Sequence, residues 1–168
     1  MEASREKGDA YQEVINKISP KIIVYIDESG IDMCKDRGWG KKSAKLLGKR
    51  SGKYYERTNI IAGLLNNQSI APMVFNGTCN ADFFNHWVEH FLIKELKPGP
   101  VVMDNTSFHK SEKTQKLIES VDYRVIFLPP YSPDLNPTEK FWAHMKRWIK
   151  QHIERCNRLS QAINQLFY

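Results

Sequence analysis

Apolar positions along the chain change period several times, and each change predicts an element. Tyr11, Val14, Ile15 and Ile18 recur at helical spacing, so residues 2–18 read as an amphipathic helix that Pro20 stops. KIIVYID (21–27) is a short apolar run rich in β-branched residues and predicts a strand buried on both faces, with DESG after it as a turn. Residues 35–53 contain Gly38, Gly40, Gly48 and Gly52 and read as loop. RTNIIAGLL (57–65) and SIAPMVFN (69–76) predict two more strands joined by a turn at Asn66-Asn67. Pro72 cannot donate to a ladder, which moves the third strand to a sheet edge or a bulge.

Helical spacing then returns. Asn80 can cap a helix over 81–96, with Phe83, Phe84, Trp87, Val88, Phe91, Leu92 and Leu96 as one stripe and Pro98-Gly99 as its end. PVVMD (100–104) predicts a fourth strand ending in Asp, 111–121 a weaker helix, and YRVIFL (123–128) a fifth strand. PPYSPDLNP (129–137) is a stiff irregular loop. Asn136 caps a last helix that starts at Pro137 and runs through Phe141, Trp142, Met145, Trp148 and Ile149 before the pattern fades into a polar C-terminus. Three closely spaced strands followed by alternating units predict a five-stranded mixed sheet, an antiparallel meander plus parallel strands, with helices covering it. The expected organisation is an N-terminal helix or linker (1–20), one α/β domain (21–155) and a C-terminal tail (156–168). Trp87, Trp142 and Trp148 lie on apolar helical faces and read as core.

Composition narrows the class. Hydrophobic residues make up 41% of the 168 and charged residues 26%, which excludes a disordered or collagen-like chain. The longest apolar run, Ile22 to Ile26, is far too short to span a membrane, and the first residues (MEASREKGD) are charged where a secretory signal would be apolar. Cys34, Cys79 and Cys156 are odd in number and far apart, so reduced cysteines are expected, not a disulfide framework or a thiolate zinc site.

The net charge of +6 is unevenly placed. Between Lys35 and Arg57 lie nine basic residues against two acids, and a second basic stretch after Glu139 includes Lys140, Lys146, Arg147, Lys150, Arg155 and Arg158. Such clusters suit a polyanion, because neutralising phosphates releases condensed counterions. Arg37, Lys41 and Lys42 are the leading DNA contacts, followed by Lys146, Arg147 and Lys150. Trp39 suits base stacking or packing beneath the basic loop.

Three acids stand out by position: Asp27 at the end of the first strand, Asp104 at the end of the fourth, and Glu139 in the first turn of the last long helix. Strand ends are where open α/β sheets build sites. Three carboxylates on separate elements can hold divalent ions for phosphoryl chemistry. Each acid also has a structural explanation: Asp27 can open a DESG turn, Asp104 a turn at Asp104-Asn105, and Glu139 can close a capping box on Asn136. Glu28 should face the opposite side of the strand from Asp27 and stays outside the set.

IDESG (26–30), RGWGKKS (37–43), MDNTSFHK (103–110) and LPPYSPDLNPTEKFW (128–142), with 34 residues between Asp104 and Glu139, resemble the catalytic domain of DDE transposases of the mariner superfamily, especially its bacterial insertion-sequence branch. The resemblance implies a ribonuclease H-like fold and Asp27, Asp104 and Glu139 as a catalytic, metal-binding triad. It implies Mg²⁺ or Mn²⁺ in a two-metal site, with Asp27 bridging. The implied reaction is DNA cleavage and strand transfer at transposon ends, acting on ends and target DNA as a homodimer or larger complex. Asn105 and His109 become candidates to orient a ligand or touch a phosphate. Such transposases carry a helix-turn-helix region for end recognition, which this chain lacks; the expectations are a second overlapping frame joined to a helix-turn-helix partner frame, a truncated element or an excised domain. The expected location is the bacterial cytoplasm, associated with the nucleoid. The alternatives are a ribonuclease H-like nuclease without strand transfer and a domesticated, non-transposing DNA-binding protein.

Overall fold

A computed structural model describes residues 2–31, 57–130 and 132–167. Five strands form one sheet in the order β3-β2-β1-β4-β5. They are β1 (Val24–Ile31), β2 (Thr58–Leu65), β3 (Gln68–Phe75), β4 (Pro100–Met103) and β5 (Arg124–Phe127). β1, β2 and β3 form the predicted antiparallel meander, and β4 and β5 add in parallel on the other side of β1. The mixed sheet expected from the element order is therefore the sheet observed.

Asn66 and Asn67 take φ values of 51° and 63°, the left-handed pair that a two-residue hairpin turn between β2 and β3 requires. β3 is an edge strand and carries a bulge. Ile61 pairs with Met73 but Gly63 with Ile70, so Ala71 and Pro72 together oppose Ala62. The bulge's backbone groups find partners elsewhere: Ala71 N donates to Glu95 Oε2 at 2.8 Å, and Trp87 Nε1 donates to Ala71 O at 2.9 Å.

Helices cover both faces. One is covered by α2 (Ala81–Trp87), which continues through a π-helical turn (Val88–Leu92) into α3 (Ile93–Glu95), and by α4 (Glu112–Glu119). There Val24, Ile26 and Ile61 of the sheet pack with Phe84, Trp87, Leu92 and Ile118. The opposite face holds two clusters. Ile31, Ile60 and Ala62 pack under α5 (Thr138–His152) and α6 (Leu159–Phe167), and Ile23 and Val102 pack under Tyr11 of α1 (Glu2–Asn16).

Four expectations change. β1 does not stop at Asp27: it pairs with β2 along its whole length, from Val24↔Leu65 to Ile31↔Thr58, so DESG is strand and not turn. β1 is also less enclosed than expected, since Tyr25 and Asp27 through the middle of the strand keep partial exposure. Phe91 leaves the predicted stripe and is 43% exposed, because the wide π turn rotates the helix face between Trp87 and Leu92. The polar C-terminus is not featureless: Leu159, Ala162 and Ile163 bury one side of α6. Among the described residues Cys79 is a free thiol, and Cys156 is buried. No helix among the described residues is long and apolar enough to cross a membrane.

Candidate active site

The parallel register of β1 and β4 sets the geometry. Val24, Tyr25 and Ile26 pair with Val101, Val102 and Met103. The next residue on each strand is an acid, Asp27 and Asp104, so the two meet where the parallel pair ends. β1 runs on beside β2 while the chain leaves the sheet after β4, which opens a cleft at that point. A cavity of about 420 Å³ lies there, lined by Asp27, Asp104, Asn105, Thr106, the proline-rich loop (Leu128, Pro129, Pro130, Ser132, Pro133), Asn136 and Glu139. The three acids singled out by sequence thus share one cavity wall, although Asp27 arrives from mid-strand.

Alternation along β1 turns Asp27 toward α5. Its Oδ2 accepts from Thr138 Oγ1 at 2.6 Å, Asn136 Nδ2 at 3.1 Å and Trp142 Nε1 at 3.2 Å, and its Oδ1 accepts from Glu28 N at 2.9 Å. Thr138 and Trp142 are four residues apart, one helical turn, so both present their donors to the same oxygen. Asn136 serves two purposes, since its Oδ1 also caps α5 by accepting from Thr138 N at 3.2 Å. Burial pushes the Asp27 carboxyl above its ordinary value and the neighbouring Asp104 charge adds to this, while the bonds from Thr138, Glu28 N and Trp142 pull the other way.

Asp104 is arranged differently. Its Oδ1 accepts from Thr106 N at 3.2 Å, the turn predicted after β4, and meets His109 Nδ1 at 2.5 Å. Partial burial alone would raise this carboxyl, but the bond to His109, the charge of that ring and the Thr106 bonds together hold it below the usual carboxylate range. His109 is fully buried against Phe84 and Phe108, each ring centroid 4.4 Å from its own. Its Nε2 lies 3.7 Å from Glu28 Oε2.

Glu139 is exposed on the first turn of α5. The backbone N–H of Asn136 donates to Pro133 O at 3.0 Å, so the capping-box explanation for Glu139 does not hold here. Asn105 lies on the cavity wall and His109 behind Asp104. On α5, Arg147 and Lys150 are exposed and Lys146 is half-buried. Arg37, Lys41 and Lys42, with Trp39, lie outside the described residues.

Sequence reasoning misses the donors to Asp27. The linear pattern marks Asn136 only as a cap and Trp142 only as core, which it also is, at 3% exposure, and it does not mark Thr138 at all. The Thr138–Trp142 spacing is the available signal. Among the described residues, no three acidic, histidine or cysteine side chains close into a ready-made metal cage. The carboxylates form the wall of an open cleft.

The family described as "DDE superfamily endonuclease" matches residues 22–160. An uncharacterized 39 kDa protein of insertion element IS630 from Shigella sonnei is 31% identical over 74 residues, covering 44% of this chain and 21% of that protein. In the Mos1 strand transfer complex, a chain superposes with a TM-score of 0.67 at 17% identity, covering 99% of this chain and 59% of that one. The Mos1 transposase catalytic domain solved with raltegravir and Mn gives 0.64 at 16% identity, covering 98% and 79%. The catalytic core of BIV integrase gives 0.57 at 12% identity, covering 86% and 79%. At these identities the likeness establishes the fold, which is ribonuclease H-like. This chain spans about three-fifths of the Mos1 chain in the strand transfer complex and a smaller share of the IS630 protein.

Proposed function

Because the chain belongs to the DDE superfamily endonucleases, we propose that it is the catalytic domain of a transposase, cleaving DNA at transposon ends and joining the freed 3′-hydroxyl to target DNA. Asp27, Asp104 and Glu139 are its catalytic carboxylates. One observation carries this reading: acids from the middle of β1, the end of β4 and the first turn of α5 line one cavity.

The donor chemistry fits a hard divalent cation. All three ligands offer oxygen, and Asp27 and Asp104 are close enough for the charge of one to raise the carboxyl of the other, a repulsion that a cation between them relieves. Asp27, Asp104 and Glu139 would hold Mg²⁺ or Mn²⁺. What such a pair supplies when bound is a lowered pKa for the attacking hydroxyl and charge neutralisation at the leaving oxygen.

The chain's own residues do the rest. Thr138, Asn136 and Trp142 fix the Asp27 carboxylate, so it need not reorganise as charge develops on the phosphate. Pro129, Pro130 and Pro133 stiffen the opposite wall, where a scissile phosphate would lie. Lys146, Arg147 and Lys150 share α5 with Glu139 and would hold flanking DNA phosphates, and the basic Arg37, Lys41 and Lys42 would add further phosphate contacts. Residues 21–155 form the catalytic unit, with 1–20 as an N-terminal helix or linker and 156–168 as a C-terminal tail. The working assembly is a homodimer or larger complex on paired ends.

The test uses pre-nicked transposon-end DNA with a free 3′-hydroxyl, a target plasmid and Mn²⁺. Joined product is expected from wild type and not from Asp104→Asn, which should fold normally. Cleavage without joining would make the chain a nuclease. Undiminished reaction in Asp104→Asn would remove Asp104 from the catalytic set.

A further inference from the structure

The chemistry above leaves Glu28 unused. Its place on β1, next to Asp27, turns it to the other face of the sheet. There its Oε2 is buried without a hydrogen-bond partner, and 3.7 Å away lies Nε2 of His109, equally buried and equally unpartnered. That separation suits an ion pair but is too long for a hydrogen bond. The other ring nitrogen, Nδ1, meets Asp104 Oδ1 at 2.5 Å. The imidazole is fully buried, packed at a tilt against Phe84 and edge-on against Phe108.

Two unpartnered polar atoms facing each other inside a protein are costly, and apolar residues in both places would remove the cost. Their placement makes sense through what lies at the far end. Asp104 Oδ1 accepts from Thr106 N at 3.2 Å and lies 2.5 Å from His109 Nδ1, and a carboxylate only accepts hydrogen bonds, so the proton in the short bond belongs to Nδ1. A carboxyl group beside Nε2 favours the ring orientation that keeps Nδ1 toward Asp104. Resting on the proposed function, we propose that His109 and Glu28 are positioning residues for Asp104. His109 donates Nδ1–H to Asp104 Oδ1, and Glu28 holds the ring from the opposite face of the sheet. The motif segments DES and DNTSFH are then joined in space as well as in purpose, since Glu28 follows Asp27 and His109 follows Asp104.

Two amides at position 109 separate positioning from packing. An Asn side chain places its nitrogen near the position of Nδ1, whereas Gln places it near Nε2. Both lose the same ring contacts with Phe84 and Phe108. Mn²⁺ affinity of the purified chain is read by electron paramagnetic resonance. The metal-free protein is read by imidazole ¹⁵N NMR. Outer-sphere partners of metal ligands typically carry about 10–100-fold in affinity. His109→Gln should therefore weaken Mn²⁺ binding by about tenfold or more, with His109→Asn close to wild type. Metal-free wild type should carry a proton on Nδ1, and Glu28→Leu should reduce that population.

Equal Mn²⁺ affinity in His109→Asn and His109→Gln would overturn the proposal, as would an Nδ1 without a proton in wild type. If either amide variant fails to fold, wild type against Glu28→Leu decides by NMR. If wild type binds no Mn²⁺, the proposed function fails, and the NMR result still decides whether the Glu28–His109–Asp104 chain exists.

Discussion

Three donors converge on one oxygen of Asp27: Asn136 just before α5, and Thr138 and Trp142 in its first turns. This ties the carboxylate of a central strand to the helix that carries Glu139. The shortest of the three is the Thr138 hydroxyl at 2.6 Å, and Thr138 is 1% exposed. Hydrogen bonds to a charged group contribute about 1.5–3 kcal/mol, so Thr138→Val should destabilise by about that much at neutral pH, while Thr138→Ser should retain most of the stability. The sign with pH follows from the state the bond favours. The Thr138 bond lowers the Asp27 carboxyl against the larger raising effect of burial, so it stabilises the ionised form. Its contribution is present when Asp27 is ionised and is lost as pH falls through the folded-state pKa. Urea unfolding of metal-free protein should therefore show the wild-type and Val curves converging in acid. Equal stability of Val and Ser at neutral pH would mean the bond contributes nothing. At this scale the sequence is legible for the acids and not for their partners. A carboxylate at a strand end is visible in a linear pattern, whereas Asn136, Thr138 and Trp142 reach Asp27 from more than a hundred positions away.

The elements bring the acids together only if β1 and β4 hold their register, and one contact near the start of both strands bears on this. A Cβ on Gly99 would lie 2.6 Å from the carbonyl oxygen of Ile22, backbone against backbone, just before β4 and just before β1. Neither side can yield as a flexible side chain would. Gly99→Ala should lower the melting temperature by several degrees, equivalent to about 1–3 kcal/mol. Thermal melts check this, and an unchanged melting temperature would show that the two segments separate without penalty. The same scale shows why some elements are legible and others not. The β2–β3 hairpin, the Pro72 bulge and the Asn80 cap each follow from local chemistry, and each is present as expected; Asn80 Oδ1 accepts from Phe83 N at 2.9 Å. DESG reads as a turn because adjacent acids and a glycine favour turns locally. Pairing with all eight residues of β2 outweighs that preference. The displacement of Phe91 is invisible for a related reason, since a π turn is an interruption of the 3.6-residue period that the pattern assumes.

Across the whole molecule, charge and chemistry are divided in a way that separates two measurements. The acids line a cavity at the end of the parallel strands, while two exposed cations of α5, Arg147 and Lys150, lie farther along the helix than Glu139 and the exposed Lys140 beside it. A helix rises about 1.5 Å per residue, so the eight positions from Glu139 to Arg147 span roughly 12 Å, more than one nucleotide step along a strand. On the proposed function, Arg147 would meet a phosphate away from the scissile one. Phosphate contacts of this kind are blind to sequence and dependent on salt. Replacing Lys146 and Arg147 with Gln should weaken binding to every DNA tested and reduce the slope of log K against log salt by about one for each phosphate no longer neutralised. At saturating DNA the same variant should cleave at nearly the wild-type rate, because neither residue lines the cavity. Asp104→Asn should behave in the opposite way, with DNA affinity kept and cleavage abolished. Fluorescence anisotropy across a salt series and single-turnover cleavage on the same substrates measure the two quantities. A salt slope unchanged by the double substitution would mean that the basic side of α5 does not meet DNA. The charge that decides binding would then lie with the segment containing Arg37, Lys41 and Lys42, where the corresponding Gln substitutions should flatten the slope instead.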